Sequence, residues 1–593
     1  MDDRLTNIET KLRHVADALA TLEARVRALE SGLPPAAASR AAAQVEPVPP
    51  GPEAPAGAEA ADLTGLLALV GRTFVVLGGA FLLRALTDSG TLPRGGGIAL
   101  GLLYAVAWLW AADRTAGRGR RVSALFHGLA SVIIGLPLVW EATTRFGFLG
   151  PVASAGVLGM LTALALVVAW RRRLESVAAV ATLGAIAAAV ALLSATGAVA
   201  SFAVFLTLLG IGTLWVSYEC DWFWLRWPPA LVADFVVLGL AGRALSHQQI
   251  ESPGTAIAVQ LLLLALYLGS FAVRTLVRHR VVIPFEVTQT VAALALGLGG
   301  SVALVRASHI GQGALGIASL VLGAAAYAVA FVFVRRWHGL GANFYFYATL
   351  AVVLILTGSA LLLPTSALAV ALAGLAALST WLGHRLSAVA LTLHGALYSA
   401  AAAVVSGLLA LAASALFGTV AGAWPMPAPA AWLALVATAV CLAVPRPASA
   451  GEEAAFVVAA RVVFAALLAV GASAAGVAVL GPIVAGTQPD PGVVATLRTG
   501  IIAGAAVVLA LATRVERLQE LGWLLFPVLT LGGVKLLVED FRYSRPASLS
   551  IALALYGAAL LTAPPLARRA AATKAPPVGE DTARSGDEGQ PPP

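Results

Sequence analysis

Charged residues are scarce in this sequence. Of its 593 residues, 11% are charged and 59% are apolar, and the mean hydropathy is +0.89. A soluble protein needs roughly a quarter of its residues charged to cover its surface, so a large soluble catalytic domain is excluded. The composition predicts an all-α, polytopic membrane protein, a helical bundle with about eighteen spanning helices.

Cysteines and common catalytic motifs are also missing. The two cysteines, Cys220 and Cys441, cannot build a disulfide framework and have no partner at metal-binding spacing. The sequence has no GxxxxGK[ST] phosphate loop and no HExxH motif. We therefore expect no metal, no cofactor and no ATP-driven pumping by this chain alone. Alternating charges at the N-terminus also argue against a cleavable signal peptide.

Residues 1–30 have the most regular pattern in the chain. Apolar residues recur at alternating spacings of three and four between charged positions, which is typical of a coiled coil. The pattern favours a parallel two-stranded coil and hence a homo-oligomer. The alternative is a single amphipathic helix that lies on the protein or on the lipid surface. The predicted core positions are Leu5, Ile8, Leu12, Val15, Leu19, Leu22, Val26 and Leu29.

The rest of the chain divides by composition. Residues 31–62 are rich in Pro and Ala and are predicted to be a disordered linker. Residues 63–566 form the predicted transmembrane domain, and residues 567–593 form a predicted disordered cytoplasmic tail. The predicted spans are 64–83, 95–112, 123–140, 149–170, 175–194, 197–217, 229–246, 255–275, 284–306, 311–334, 343–363, 365–383, 387–416, 428–445, 457–482, 493–513, 518–538 and 547–566. The run 387–416 is longer than a bilayer requires and is expected to be kinked, tilted or partly re-entrant.

Arginines are concentrated in every second connection between the predicted spans. Examples are Arg118, Arg171, Arg278, Arg335 and Arg514. Positive residues favour cytoplasmic loops, so this distribution predicts an even number of spans with both termini in the cytoplasm. It also explains the net charge of +8 without a nucleic acid partner. The lipid bilayer is therefore the expected partner of the chain.

A few ionisable residues fall at membrane depth. Each costs roughly 2.5 to 3.5 kcal/mol at a helix centre, so such side chains usually face protein or water. Asp234 and Arg243 share one span but lie about 13 Å apart along it, too far to pair. Each residue could line a substrate path, or could instead make a structural contact or reach the interface. The intramembrane candidates are Arg72, Asp234, His394 and Arg461.

A second group of ionisable residues gathers at the predicted outer ends of helices. Arg84 with Asp88, and Lys535 with Glu539, are four residues apart and could pair on one helix face. Carboxylates are disfavoured at a helix C-terminus, so cations or basic side chains are expected beside Glu539 and Asp540. Our hypothesis is one outward polar vestibule, and the alternative is that these residues mark the interface. Its candidate residues are Arg84, Asp88, Glu141, Arg145, Arg243, Lys535, Glu539, Asp540 and Arg542.

Short segments near both ends of the chain carry a resemblance to a known family. At the N-terminal side these are the coil, the Pro-rich linker and the positions Gly71, Gly79, Phe81, Leu83, Arg84 and Gly101; at the C-terminal side they are 535–540, 546–553, Arg568 and Arg569. With these features the sequence resembles the membrane-protein family called domain of unknown function 2339. The resemblance implies a many-helix protein of the bacterial inner membrane and brings no established reaction or ligand.

Three functions remain open at this point. A transporter or translocator of a small or envelope-related substrate is favoured, because ionisable residues at membrane depth often line a pathway. A membrane scaffold organised by the coil is the second hypothesis, although an anchor needs only one span. An intramembrane enzyme that acts on a lipid-linked substrate is the third. A water-filled cavity that reaches Arg72 or Asp234 would favour the first hypothesis.

Overall fold

The computed structural model describes residues 71, 78–79, 82, 84–87, 89–246, 251–333, 341–418, 424–447, 452–486 and 490–572. The predicted coil, the linker, most of the first predicted span, and Arg72 and Asp88 lie outside these residues. All helices named below belong to one compact unit, Leu82–Pro593. The described part of the chain is helical throughout, without strands.

In the described part of the chain between residues 94 and 362 there are ten helices, three of which include a π-helical segment. They are α1 (Arg94–Gly117), α2 (Arg121–Thr144), α3 (Pro151–Arg172), α4 (Glu175–Thr196), α5 (Val199–Cys220), α6 (Trp227–Leu245), α7 (Pro253–Ala272, then π-helical Val273–Val277), α8 (Pro284–Ala292, π-helical Ala293–Gly299, then Gly300–Ser308), α9 (Gln312–Ala328, then π-helical Val329–Phe333) and α10 (Gly341–Leu362).

The second part continues without a change of architecture. Its helices are α11 (Thr365–Arg385), α12 (Val389–Val405), α13 (Leu408–Phe417), α14 (Pro429–Ala443), α15 (Glu452–Ala485), α16 (Pro491–Ala512), α17 (Gly522–Lys535, π-helical Leu536–Asp540, then Phe541–Tyr543) and α18 (Pro546–Ala572). A 3-10 turn, Glu516–Leu521, precedes α17. Helix α18 ends at Ala572, and residues 573–593 of the predicted tail lie outside the described residues.

Among the described residues, 15 helices are long and apolar enough to cross a membrane, or up to 16 if one bent pair counts as a span. The bent pair is α12 and α13, which meet at 63° within the long run 387–416. The bend falls at Gly407, whose φ of 77° is a conformation that glycine adopts without strain. The predicted span 428–445 coincides with α14, which has 15 residues. The count of eighteen stays a prediction, because the first predicted span lies mostly outside the described residues.

Helix packing in the bundle depends on close backbone approach. A Cβ atom at Gly358 of α10 would lie 2.7 Å from the carbonyl oxygen of Gly316 in α9, so only glycine fits there. Such contacts between small residues are typical of membrane helix pairs. The buried apolar residues form two main clusters, one from α2 to α10 and one from α10 onwards. Helix α10 contributes Leu354 to the first cluster and Val352 to the second.

Contacts between helix termini define one end of the bundle. Arg172 at the end of α3 pairs with Asp113 near the end of α1 at 2.7 Å. Arg173 donates to the Glu219 carbonyl at the end of α5, and Glu219 pairs with Arg278 beyond α7. We call this the arginine-rich end. Helices α1, α3, α5 and α7 finish there, and α2, α4, α6 and α8 begin there.

Candidate functional site

Asp234 lies inside α6, about 10 Å along the helix from Trp227 at the arginine-rich end. Its side chain is buried, 7% exposed. The Gln289 side chain of α8 donates a hydrogen bond from Nε2 to Asp234 Oδ1 at 3.0 Å. Within the described part of the chain, Asp234 has no ion pair and no second hydrogen bond. The carboxyl therefore has a neutral amide as its partner on another helix.

Other buried polar groups lie on the neighbouring helices α7 and α8. Tyr267 of α7 lies within electrostatic range of Asp234. The Tyr267 hydroxyl and the Thr290 hydroxyl of α8 are buried, and neither has a hydrogen-bond partner among the described residues. Buried hydroxyls without partners are costly in an apolar medium. A water molecule bound beside either hydroxyl would satisfy it.

Helix α8 widens directly beyond these residues. Its π-helical segment Ala293–Gly299 follows Gln289 and Thr290 and precedes Ser301, whose hydroxyl donates to Gln260 Oε1 of α7 at 3.1 Å. A single π turn inside an α-helix often marks a functional site. Gly297 in this segment lies close to α7, because a Cβ atom at this position would lie 2.8 Å from the Gln260 carbonyl oxygen. The polar residues of α7 and α8 thus lie on both sides of the π-helical segment.

Glu286 connects this region with the arginine-rich end. It lies in the first turn of α8 and is fully buried. Its carboxylate accepts hydrogen bonds from Arg274 Nη1 at 3.0 Å, from the Tyr218 hydroxyl at 2.6 Å and from the Ile283 backbone N–H at 2.9 Å. Glu286 and Gln289 are three residues apart and share one helix face. We call Glu286, Gln289 and Asp234 the polar row.

A second buried cluster joins α16 and α17, and it contains three of the predicted vestibule residues. Lys535 is 4% exposed and Asp540 is fully buried. Lys535 Nζ donates to Asp540 Oδ2 at 2.7 Å, to Thr499 Oγ1 at 2.7 Å and to the Ala495 carbonyl. The predicted pair of Lys535 and Glu539 is present at 3.5 Å. The π-helical segment Leu536–Asp540 lies within this cluster.

Arg498 of α16 completes this cluster, although the sequence analysis did not single it out. It is 2% exposed, and its Nη1 donates to Glu539 Oε1 at 2.6 Å. Its Nη2 donates to the Gly418 carbonyl at 2.6 Å, directly after the last residue of α13. A positive charge at a helix C-terminus is favourable, so Arg498 stabilises the end of the bent pair. An arginine inside the predicted span 493–513 was the signal that could have identified it.

The other predicted vestibule residues have different surroundings. Arg84 pairs with Glu141 of α2 at 2.8 Å, and α2 packs against α1, α3 and α4, whereas α17 packs against α15, α16 and α18. Arg145 and Arg542 lie over the rings of Phe146 and Tyr543, and Arg243 is half-buried in the last turn of α6. The contacts sort these residues into two groups on different helices. A single vestibule stays a prediction.

Two further intramembrane candidates have buried partners. Arg461 of α15 pairs with Glu520 at 3.2 Å and donates to the Leu442 and Val444 carbonyls at 3.2 and 3.0 Å, where α14 ends. His394 of α12 shares a hydrogen bond of 2.8 Å with the Tyr327 hydroxyl of α9. Both side chains thus have a polar partner on another part of the bundle.

No group of three His, Cys, Asp or Glu side chains suited to a metal ion occurs in the described ranges. No curated protein and no solved structure is significantly similar to the chain. The family model for predicted membrane proteins of the DUF2339 family matches residues 64–581. This range includes both buried clusters and all of the helices named above. The chain therefore belongs to the DUF2339 family of predicted membrane proteins.

Proposed function

We propose that the chain is a membrane transporter in which Asp234 binds a proton or a small cation. That proton or cation is either the substrate or the ion that drives transport. The strongest support is the Asp234 carboxyl itself, which lies inside a candidate membrane helix and has no cation beside it in the described structure. An ionisable residue in this position is a functional candidate by default.

Asp234 differs from the other buried acids in how its negative charge is compensated. A charged group at the bilayer centre costs about 2.5 to 3.5 kcal/mol on insertion scales. Glu520 and Asp540 offset this cost with Arg461 and Lys535. Asp234 has only the Gln289 amide. A bound proton or cation would neutralise the Asp234 carboxylate, so this acid is suited to bind and release one.

The polar row supports a route from one side of the membrane. The partners of Glu286 include Tyr218 and Arg274, which line a cavity of about 810 Å³ at the arginine-rich end. From Glu286 the row continues through Gln289 to Asp234. Rows of polar side chains of this kind serve as relays in pumps and transporters.

Irregular helices support the same proposal. Transporters commonly use broken helices, whose parts can move against each other. Here α12 and α13 are bent at 63°, and α7, α8, α9 and α17 each contain a π-helical segment. Such segments leave backbone groups that can be rearranged at modest cost.

The orientation and location belong to the same proposal. We assign the arginine-rich end to the cytoplasm, because positive residues favour that side. Both termini then lie in the cytoplasm, and the membrane is the bacterial inner membrane. The polar row therefore starts on the cytoplasmic side. The cavity of about 480 Å³ beside Glu539 and Arg542 is our candidate for the outer vestibule.

The heptad pattern of residues 1–30 supports an additional role in assembly. We assign these residues to a parallel two-stranded coil that pairs two copies of the chain, joined to the bundle by a flexible linker, residues 31–62. A pure scaffold would not require buried ionisable groups. We therefore assign the coil to the assembly of a transporter and not to a scaffold without transport activity. The enzyme hypothesis has less support, because Asp540 is fully buried against Lys535 and is not available as a general acid or base.

The proposal is tested by charge movement in the absence of any known substrate. Purified protein in liposomes is adsorbed to a solid-supported membrane and exposed to a jump in proton or Na⁺ concentration. Binding of the ion to Asp234, within the membrane field, is expected to give a transient current. Asp234→Asn is expected to abolish this current, because the amide cannot release a proton or hold a cation.

Glu175→Gln provides the matched control. Glu175 is an exposed carboxylate at the arginine-rich end, where it accepts a hydrogen bond from Trp224. The same carboxyl-to-amide change at Glu175 is expected to leave the current unchanged. A wild-type current in Asp234→Asn, at equal protein density, would refute the proposal.

A further inference from the structure

The cavity at the arginine-rich end contains more positive charge than the polar row requires. Its volume is about 810 Å³. It is lined by the termini of α5, α6 and α7 and by the segment that leads into α8. Its arginines are Arg226, Arg274, Arg278 and Arg280, and its acids are Glu219 and Asp221.

The four arginines of the cavity differ in their ion-pair partners. Arg274 is bound to Glu286 at 3.0 Å, and Arg278 is bound to Glu219. Arg226 and Arg280 have no ion pair within the described part of the chain. Two guanidinium groups in the cavity wall therefore remain available for an anion.

Arg226 is the more informative of these two residues. Its side chain is 8% exposed, yet it lines the cavity and its buried Nε has no hydrogen-bond partner among the described residues. Its guanidinium lies over the rings of Phe285 and Phe223, at 5.1 and 5.5 Å from their centroids. These stacking contacts hold the guanidinium plane in place and leave its N–H edge free. Burial also lowers the pKa of Arg226, so an adjacent anion would stabilise its charged form.

The position of the cavity indicates where the anion comes from. Phe223 and Trp224 beside Arg226 are 64% and 42% exposed, and exposed aromatic rings at helix ends are typical of the membrane interface. The phosphate groups of lipids lie at this level. Basic pockets between membrane helices on the cytoplasmic side are known to bind anionic headgroups.

We propose that this cavity binds a phosphate group, with Arg226 as the bidentate donor and Arg280 as a second, exposed contact. The planar guanidinium fork matches the oxygens of a phosphate. An anionic phospholipid headgroup and a free phosphate present the same chemistry. The proposal stands whether or not Asp234 moves an ion, because it depends on different residues.

The test measures ligand binding to the purified full-length protein by native mass spectrometry. The probes are phosphatidylglycerol, phosphatidylcholine and inorganic phosphate. Wild-type protein is expected to prefer phosphatidylglycerol over phosphatidylcholine. Arg226→Gln is expected to weaken phosphatidylglycerol binding about tenfold or more, which is the value of one charged hydrogen bond.

Two further variants make the test decisive. Arg280→Gln changes an exposed side chain and is expected to weaken binding about two- to fivefold. This variant still tests the site if Arg226→Gln folds poorly. Arg385→Gln changes another arginine at a helix end, one that lies over Trp381, and is expected to leave binding unchanged.

The two ligand sources give different results. Arg226-dependent binding of phosphatidylglycerol without binding of inorganic phosphate assigns the site to a lipid headgroup, and Arg226-dependent binding of inorganic phosphate assigns it to a soluble phosphate. If folded Arg226→Gln and Arg280→Gln both bind phosphatidylglycerol and phosphate as wild type does, the proposal is wrong.

Discussion

Replacing Lys535 with methionine is expected to destabilise the protein by about 3 to 5 kcal/mol, the cost of breaking a buried ion pair. Lys535 is the only cation bonded to the fully buried Asp540 in the described structure. The substitution also removes donors to Thr499 and to the Ala495 carbonyl. The free energy of unfolding, measured by SDS titration of the purified protein, gives the size of this loss.

Removal of both charges separates the ion pair from simple packing. Lys535→Met combined with Asp540→Asn leaves no uncompensated charge, so this double variant is expected to recover at least half of the lost free energy. Arg545→Met is the control, because Arg545 pairs with Asp490 in an exposed position and should contribute at most about 1 kcal/mol. Equal losses in the single and double variants would contradict the assigned role of Lys535.

Glu286→Gln is expected to cost about 3 kcal/mol, because it removes the carboxylate that compensates Arg274. Glu286 is fully buried and accepts three kinds of donor, from Arg274, Tyr218 and the Ile283 backbone. The loss of these bonds should also loosen the first turn of α8, which positions Gln289. We therefore expect a smaller transient current after a proton jump, even though Asp234 is intact.

A neighbouring ion pair provides the control for this variant. Glu219 pairs with Arg278 at the same end of the bundle, but both side chains are more than 40% exposed. Glu219→Gln should therefore change stability by at most about 1 kcal/mol and leave the current unchanged. If Glu286→Gln were as stable as Glu219→Gln, the described Glu286 contacts would not be important for the fold.

The two buried clusters have different roles in this account. In the α16–α17 cluster each cation has an acid beside it, Arg498 with Glu539 and Lys535 with Asp540, and such a cluster stabilises one arrangement of helices. Asp234 has a neutral partner and the Tyr267 hydroxyl, which has no hydrogen-bond partner among the described residues, within electrostatic range. A cluster whose charges are paired is suited to structure, and a buried acid without a cation is suited to binding.

Sequence reasoning locates the helices well, because apolar runs bounded by charges, proline or glycine determine where a chain can cross lipid. It also identifies Lys535, Glu539 and Asp540, whose spacing places them on neighbouring turns of one helix. The bend at Gly407 was expected in a general way from the length of the run 387–416. Its position depends on a backbone conformation that composition does not reveal.

Partners on other helices were not predictable in the same way. Gln289 is 55 residues from Asp234, and Arg498 is 41 residues from Glu539. A buried glutamine has no charge to mark it in an apolar run, and the pairing of helices depends on packing that one sequence does not specify. For these reasons the sequence predicts Asp234, Glu539 and Asp540 but not the groups that hold them.

The most direct test of the account is whether the Asp234 region is reached by water from both sides of the membrane. In a chain with Cys220 and Cys441 replaced by serine, Gln289→Cys or Thr290→Cys is treated with a membrane-impermeant thiol reagent in right-side-out and in inside-out vesicles. Leu206→Cys, at a fully buried apolar position, should remain unlabelled in both. We expect labelling of the α8 cysteine from both sides, as alternating access requires. Labelling from one side only, or from neither, would contradict transport through this site.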